Sequence, residues 1–441
     1  MQSGFAAVPE ASALRLLNAH VPLCLVNAPA LAANRDGIAS VDLTIEDGRI
    51  SSIVAAGTHT LVSDLPALDL KGAMIFPRFA EAHTHLDKGH IWPRRPNPDG
   101  TFMGALNAVM ADREANWNAG DVRARMNFGL KTAFAHGTRA IRTHLDSVGP
   151  QIAISWPVFD ELRAKWAGRM DVQATPLFGI DHAVNPDHMR DVIAAVKRHG
   201  SGVLGCVTYM GPNLKAGLEV MFRAATEHGF DLDFHVDETN DPAALSLEAI
   251  ADAAIAHRFS GKILCGHCCS LALQMPQAEA RIIGKVAEAG IAIVSLPMCN
   301  MYLQDRASGR TPRWRGVTLL HEMKAAGIPV MVSSDNTRDP FYAYGDLDMI
   351  EVLREATRIL QLDHGDTDWP ATVTTTPASI MRLDADACLA AGGAADMVMT
   401  RARSLTELFA RPQGDRTVLV GGKAIDTTLP DYAELDHLMT H

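Results

Sequence analysis

Along the chain, apolar runs of four or five residues alternate with longer stretches whose apolar positions recur at helical spacing. The runs fall at residues 73–76, 140–143, 172–175, 203–207, 232–235, 262–266, 291–295 and 329–333. Between them, segments such as 187–199 and 279–289 place Ala, Arg and Lys on polar faces, the period of a surface helix. Most successive runs start about 30 to 40 residues apart, the length of a strand–helix unit. Eight such units are the count of an α/β architecture closed as a (β/α)8 barrel, the TIM barrel. A doubly wound open sheet would carry a glycine-rich phosphate turn after its first strand, and none stands there.

The two ends of the chain read differently. Val41-Asp42-Leu43-Thr44-Ile45 alternates apolar and polar residues ahead of Glu46-Asp47-Gly48-Arg49, the chemistry of a tight hairpin turn. Residues 395–399 and 418–425 repeat that style near the other terminus. One small β-sandwich domain formed by both termini is therefore expected, from residues 1–72 and 388–441. It would flank a barrel of residues 73–387.

Composition narrows the class. The chain has 441 residues, 47% hydrophobic and 21% charged, enough to bury a large core. No apolar stretch approaches the roughly 18 residues of a membrane span, and Glu10 and Arg15 interrupt the apolar N-terminal stretch, which argues against a secretory leader. Seven scattered cysteines, an odd number, suit reduced thiols in the cytoplasm. A net charge of −11 would repel phosphates, so neither nucleic acid nor an anionic membrane is the expected partner. A small-molecule ligand and a homo-oligomer are expected instead.

Eighteen histidines change the picture most, because several stand at the ends of the apolar runs, where a barrel places its active site. The first run leads into Glu81-Ala82-His83-Thr84-His85-Leu86-Asp87. Side chains alternate along a strand, so His83 and His85 share a face, and two converging imidazoles make a metal geometry. The fifth run ends Phe234-His235-Val236-Asp237-Glu238, the sixth Cys265-Gly266-His267, and the eighth Ser333-Ser334-Asp335-Asn336. Four independent strand ends seldom acquire metal-competent residues by chance. His144 ends the second run without a second histidine two residues earlier, which favours a supporting or core role. Cys265 and Cys268 have the spacing of a zinc or redox pair, yet Cys265 shares a strand face with His267 and Cys268 falls beyond the strand, so both read as packing residues.

At these residues the chain resembles the amidohydrolase superfamily, in its cytosine deaminase-like branch. The likeness spans His83-Thr84-His85-Leu86-Asp87, Arg142-Thr143-His144-Leu145-Asp146, His235-Val236-Asp237-Glu238, Gly266-His267, Arg313-Trp314-Arg315-Gly316-Val317, Ser334-Asp335-Asn336 and Asp339-Pro340-Phe341. It implies metal ligation by His83, His85, His235 and Asp335, proton shuttling by Glu238, and water activation by Asp335 with His267. Members with two metals carry a bridging lysine at the fourth strand; Val203-Leu204-Gly205-Cys206-Val207-Thr208 has none. One divalent ion per chain is expected, Zn2+ or Fe2+, both suited to imidazole and carboxylate donors.

The departures bear on the substrate. Cytosine deaminases carry a glutamine near the third strand's end, where this chain has Leu177. An amide replaced by leucine leaves a polar edge of cytosine unpaired, at about 1–3 kcal/mol. Asn336 stands where those enzymes have a second aspartate, and the run from Ser334 to Asp339 is similar to triazine aminohydrolases. Leu177 and Asn336 are thus candidate substrate contacts. Phe102 and Phe341 are others, as rings that can stack on a heterocycle, with Trp92 a further aromatic beside a long turn-rich loop suited to a lid. The expected activity is hydrolytic deamination of an amino-substituted N-heterocycle, a cytosine-like pyrimidine, pterin, purine or triazine. Two alternatives stay open: hydrolysis of a cyclic amide of the hydantoinase or dihydroorotase kind, and a non-catalytic scaffold.

Overall fold

The structure, a computed structural model, describes residues 5–58, 64–383, 385, 387–412 and 414–439. The chain forms two compact units. One comprises Met1–Glu81, Lys131–Ala140 and Asp348–Pro430, and the other Ala82–Leu130, Ile141–Leu347 and Asp431–His441.

The first unit draws its sheets from both ends of the chain. One four-stranded sheet runs in the order Arg49–Ala55, Ile38–Glu46, Ala13–Pro22, Ala67–Asp69. A second runs Lys423–Ala424, Thr417–Val420, Met397–Met399, Ile75–Pro77. The hairpin turn at Asp47-Gly48 has φ of 47° and 77°, the two positive values that a type I′ turn demands. Asp348 starts the helix Met349–Leu360 by accepting from the Ile350 N–H at 3.0 Å, an N-cap. The same carboxylate takes two hydrogen bonds from buried Arg416, at 2.7 and 2.5 Å.

Eight parallel strands make the barrel: β1 (Phe79–Thr84), β2 (Thr138–Asp146), β3 (Asp171–Leu177), β4 (Val203–Thr208), β5 (Asp231–Val236), β6 (Ile263–His267), β7 (Ile291–Ser295) and β8 (Val330–Val332). β1 to β3 form one hydrogen-bonded sheet and β4 to β8 another. The Val207 N–H donates to the Phe178 carbonyl at 2.8 Å, and the Asp335 N–H to the His83 carbonyl at 3.0 Å. Those two bonds join the sheets into a ring. Helices such as Pro186–His199 and Leu214–His228 follow their strands, the first capped by the Asn185 side chain and the second ended by Gly229 at φ 67°. That alternation is the barrel the spacing predicts.

One expected strand moves. Residues 75–77 pair antiparallel with Met397–Met399 in the first unit, and the barrel begins two residues later at Phe79. Arg78 marks the break, donating to the Thr138 carbonyl at 2.7 Å. Glu81 hides the new strand in the sequence, because it is a charged residue almost wholly buried in β1. No described helix is long and apolar enough to cross a membrane, and none of the cysteines is in a disulfide.

Candidate active site

The strand ends deliver the chemistry. His83 lies on β1 and His85 one residue past it. The backbone there is held by its neighbours: Leu86 N–H donates to Thr143 Oγ1 at 2.9 Å, and Thr84 Oγ1 to the Asp335 carbonyl at 2.7 Å. His235 comes from β5, His267 from the end of β6, and Asp335 from the loop after β8. Asp335 and His267 both take positive φ, 63° and 68°, which turns their side chains out of the strand direction.

These groups converge. His85 Nε2 stands 3.3 Å from His235 Nε2 and 3.1 Å from Asp335 Oδ1, and His83 Nε2 is 3.7 Å from the same oxygen. His83, His235 and His267 offer donor atoms within 4.8 Å of one another, as do Glu238, His267 and Asp335. Two ring nitrogens facing each other beside a carboxylate oxygen form a donor set with a common focus, and a divalent ion fits it. Burial holds His83, His85 and His235 well below the usual imidazole pKa, with nearby histidines, Lys88 and, for His83, Arg142 adding to the effect. The rings are therefore neutral, the form that ligates a metal.

Glu238 follows β5, mostly buried. Burial raises its carboxyl well above the usual range, and the charge of Asp335 adds to this. Burial also lowers His267 to about 3. The site thus offers a carboxyl group poised to hold a proton beside an uncharged imidazole.

Beneath the histidines lies a buried polar layer. His144 packs 4.0 Å from the His83 ring and 4.5 Å from the His235 ring, centroid to centroid. Arg142 Nη1 donates to Asp233 Oδ2 at 3.0 Å, and burial lifts Asp233 to about 7 against that pull. His83, His144 and Asp233 also bring donor atoms within 4.8 Å of one another.

The four candidate substrate contacts are placed unevenly. Phe341 is buried and meets Phe102 edge-on at 5.4 Å. Leu177 is buried at the last position of β3. Asn336 is already engaged: its Nδ2 donates to Asp339 Oδ2 at 2.7 Å, and Cys299 Sγ donates to its Oδ1 at 3.6 Å. The loop expected as a lid is tied down at Asn97, whose Nδ2 donates to the carbonyls of Thr101 and Pro340, each at 3.0 Å.

Two further polar residues at the site, Lys88 and Asn300, lie outside the strand-end motifs. Lys88 is buried with Nζ 3.0 Å from Asp146 Oδ1 and 5.5 Å from the Phe341 ring centre. It follows His83-Thr84-His85-Leu86-Asp87 directly, and a lysine so close to a strand end was the available signal. Asn300 sits on the short helix Pro297–Leu303 after β7, a barrel strand whose end carries no acid or histidine. Its Nδ2 lies 2.9 Å from His267 Nδ1 and 3.2 Å from Glu238 Oε1.

A model of the amidohydrolase family matches residues 164–425. The chain is 52% identical over 436 residues to a pterin deaminase of Rhizobium rhizogenes, covering 99% of each. The chain belongs to the amidohydrolase family. This amidohydrolase is similar in structure to 5-methylcytosine deaminase from Klebsiella pneumoniae, with a TM-score of 0.81 at 23% identity over 95% of this chain and 98% of the other. N-isopropylammelide isopropylaminohydrolase from Burkholderia multivorans gives 0.73, at 23% identity over 94% and 98%. The amidohydrolase is thus a hydrolase of non-peptide C–N bonds, with a His/Asp cluster able to hold a metal ion.

Proposed function

We propose that this amidohydrolase deaminates a pterin, adding water at the amino-bearing ring carbon and releasing ammonia. The reading is carried by the 52% identity to pterin deaminase along 99% of both chains. Buried Leu177 supports it: an apolar side chain where cytosine enzymes keep an amide suits a fused second ring better than a pyrimidine's polar edge.

In this reading His83, His85, His235 and Asp335 hold one divalent ion, zinc or ferrous iron. Bound there, the ion supplies the charge that lets a water ionise near neutral pH. Asp335 has a second carboxylate oxygen to take a proton from the attacking water. Glu238 protonates the ring nitrogen beside the reacting carbon, so that the new C–O bond forms without building charge on the ring. Left as a carboxylate, it takes the proton of the newly added hydroxyl and passes it to the exocyclic nitrogen, and the C–N bond breaks with loss of ammonia. A carboxyl held above its usual pKa can both give and take a proton near pH 7. Phe102 and Phe341 would hold the plane of the ring, and Asn336 would act through Asp339 to shape the loop that carries Phe341.

The acidic chain favours free heterocycles over bases in a nucleic acid, in the cytoplasm. The test is ammonia release by metal-loaded protein from pterin, cytosine, a triazine and a purine. Pterin should give the highest kcat/KM. A tenfold higher value for any other class would overturn the substrate. Ring opening without ammonia would favour cyclic-amide hydrolysis.

A further inference from the structure

We propose that Asn300 fixes the tautomer of His267, so that this imidazole donates a hydrogen bond from Nε2 into the reacting centre and takes no proton there. Asn300 is fully buried, and one atom of its amide meets two partners. Nδ2 lies 2.9 Å from His267 Nδ1 and 3.2 Å from Glu238 Oε1. An amide nitrogen has two N–H bonds and accepts nothing, so both neighbours must be acceptors. A carboxylate oxygen accepts. Imidazole Nδ1 accepts only when bare, and in a neutral ring that places the hydrogen on Nε2.

The reverse amide orientation is the competing arrangement. It would set an amide oxygen 3.2 Å from a carboxylate oxygen, a contact that works only if Glu238 and His267 Nδ1 both carry hydrogens. The proton that Glu238 must give to the ring would then sit on Oε1 against Asn300, and none would stand on Oε2 facing the reacting centre. His267 Nδ1 lies 3.5 Å from Glu238 Oε1, too far for a good bond of its own, so Asn300 is its partner.

The rest of His267 is set to match. Thr318 Oγ1 donates to its carbonyl at 2.6 Å, which anchors the strand end. Its ring centre lies 5.2 Å from that of His235 and 5.5 Å from that of His83. Nε2 is buried with no hydrogen-bond partner among the described residues, and is the atom left to meet the reacting oxygen. Asn300 is thus a positioning residue. It ties one oxygen of Glu238, leaving Oε2 to move protons, and it makes His267 a fixed donor of the kind that stabilises developing negative charge.

The tautomer assignment stands on geometry, whereas its consequence for catalysis rests on the deaminase reading above. The test separates the two. Ring 15N NMR of histidine-labelled protein should show His267, assigned by its loss in His267→Gln, with hydrogen on Nε2 and a bare Nδ1. In Asn300→Asp, a carboxylate beside Nδ1 should move the hydrogen to Nδ1. Hydrogen on Nδ1 in the wild-type protein would overturn the proposal whatever substrate the enzyme takes. In turnover, glutamine supplies an N–H near the place of Nε2, so His267→Gln should stay within about tenfold of wild-type kcat while His267→Ala loses about 10²–10³-fold. Asn300→Asp should lose about 10²-fold in kcat with KM nearly unchanged. Equal losses in His267→Gln and His267→Ala would make His267 a base and refute the donor role.

Discussion

Replacing Glu238 by glutamine separates proton transfer from shape. The glutamine carbonyl can still accept from Asn300 Nδ2, which sits 3.2 Å from Glu238 Oε1, so the neighbours keep their places. What disappears is the proton. A positioned acid or base is worth about 10²–10⁴ in rate, or about 3–5 kcal/mol of barrier at 1.36 kcal/mol per decade. Because Glu238 serves two successive transfers, the loss belongs at the upper end, near 10³–10⁴ in kcat. KM should hold, since the interaction lost is made only in the transition state. Stability should move the other way. Burial raises the Glu238 carboxyl in the folded chain, then Asp335 adds to it. A carboxyl raised on folding contributes stability that is complete at low pH and is lost as pH rises through the folded value. Glutamine removes that loss, so the variant should melt no lower than wild type at alkaline pH. Ammonia release from pterin, metal content and thermal melting on one preparation provide the assay. A kcat within tenfold of wild type, with metal retained, would refute the shuttle.

Chelation should abolish ammonia release and lower the melting temperature, both restored by one equivalent of zinc or ferrous iron; an ion at a thousandfold its Kd adds about 4 kcal/mol to stability. An unchanged melting curve would count against the His/Asp cluster as the metal site. Phe341→Ala removes a ring that meets Phe102 at 5.4 Å, and at about 0.5–1.5 kcal/mol per aromatic pair KM for pterin should rise about 2- to 10-fold. If only melting changes, the ring is packing. For Asp348→Asn the readout is stability against pH. Burial opposes ionisation of Asp348, but Arg416 and His136 outweigh it and hold the carboxyl well below the usual range. A carboxyl so depressed contributes stability above its unfolded pKa of about 3.9 that is lost as pH falls through the folded value. The variant should lose about 3–5 kcal/mol at pH 7 and show a flatter acid limb; an unchanged limb would remove Asp348 from the acid response.

The barrel was legible because its signals repeat. Seven of the eight apolar runs lie on barrel strands, and His83, His85, His235, His267 and Asp335 come together as their positions at strand ends imply. β1 escapes the apolar pattern because burial in a barrel tolerates Glu81, while Ile75–Pro77 looks like a strand and is one, paired with Met397–Met399. Asn300 was illegible for a different reason. An asparagine on a short helix has no spacing rule, and its meaning exists only through Glu238 and His267, 62 and 33 residues away in the chain. Asn336 stands beside Asp335 in sequence, and no spacing rule announces that its amide donates to Asp339.

The left-handed backbone at the strand ends has a consequence for how this protein can be improved. His267 and Asp335 hold positive φ, 68° and 63°, where an ordinary side chain costs roughly 1–2 kcal/mol relative to glycine. Thermal selection without a demand for turnover would push those positions towards glycine and return a sturdier, inert barrel. Any programme for heat tolerance should freeze these two positions and seek its gains elsewhere.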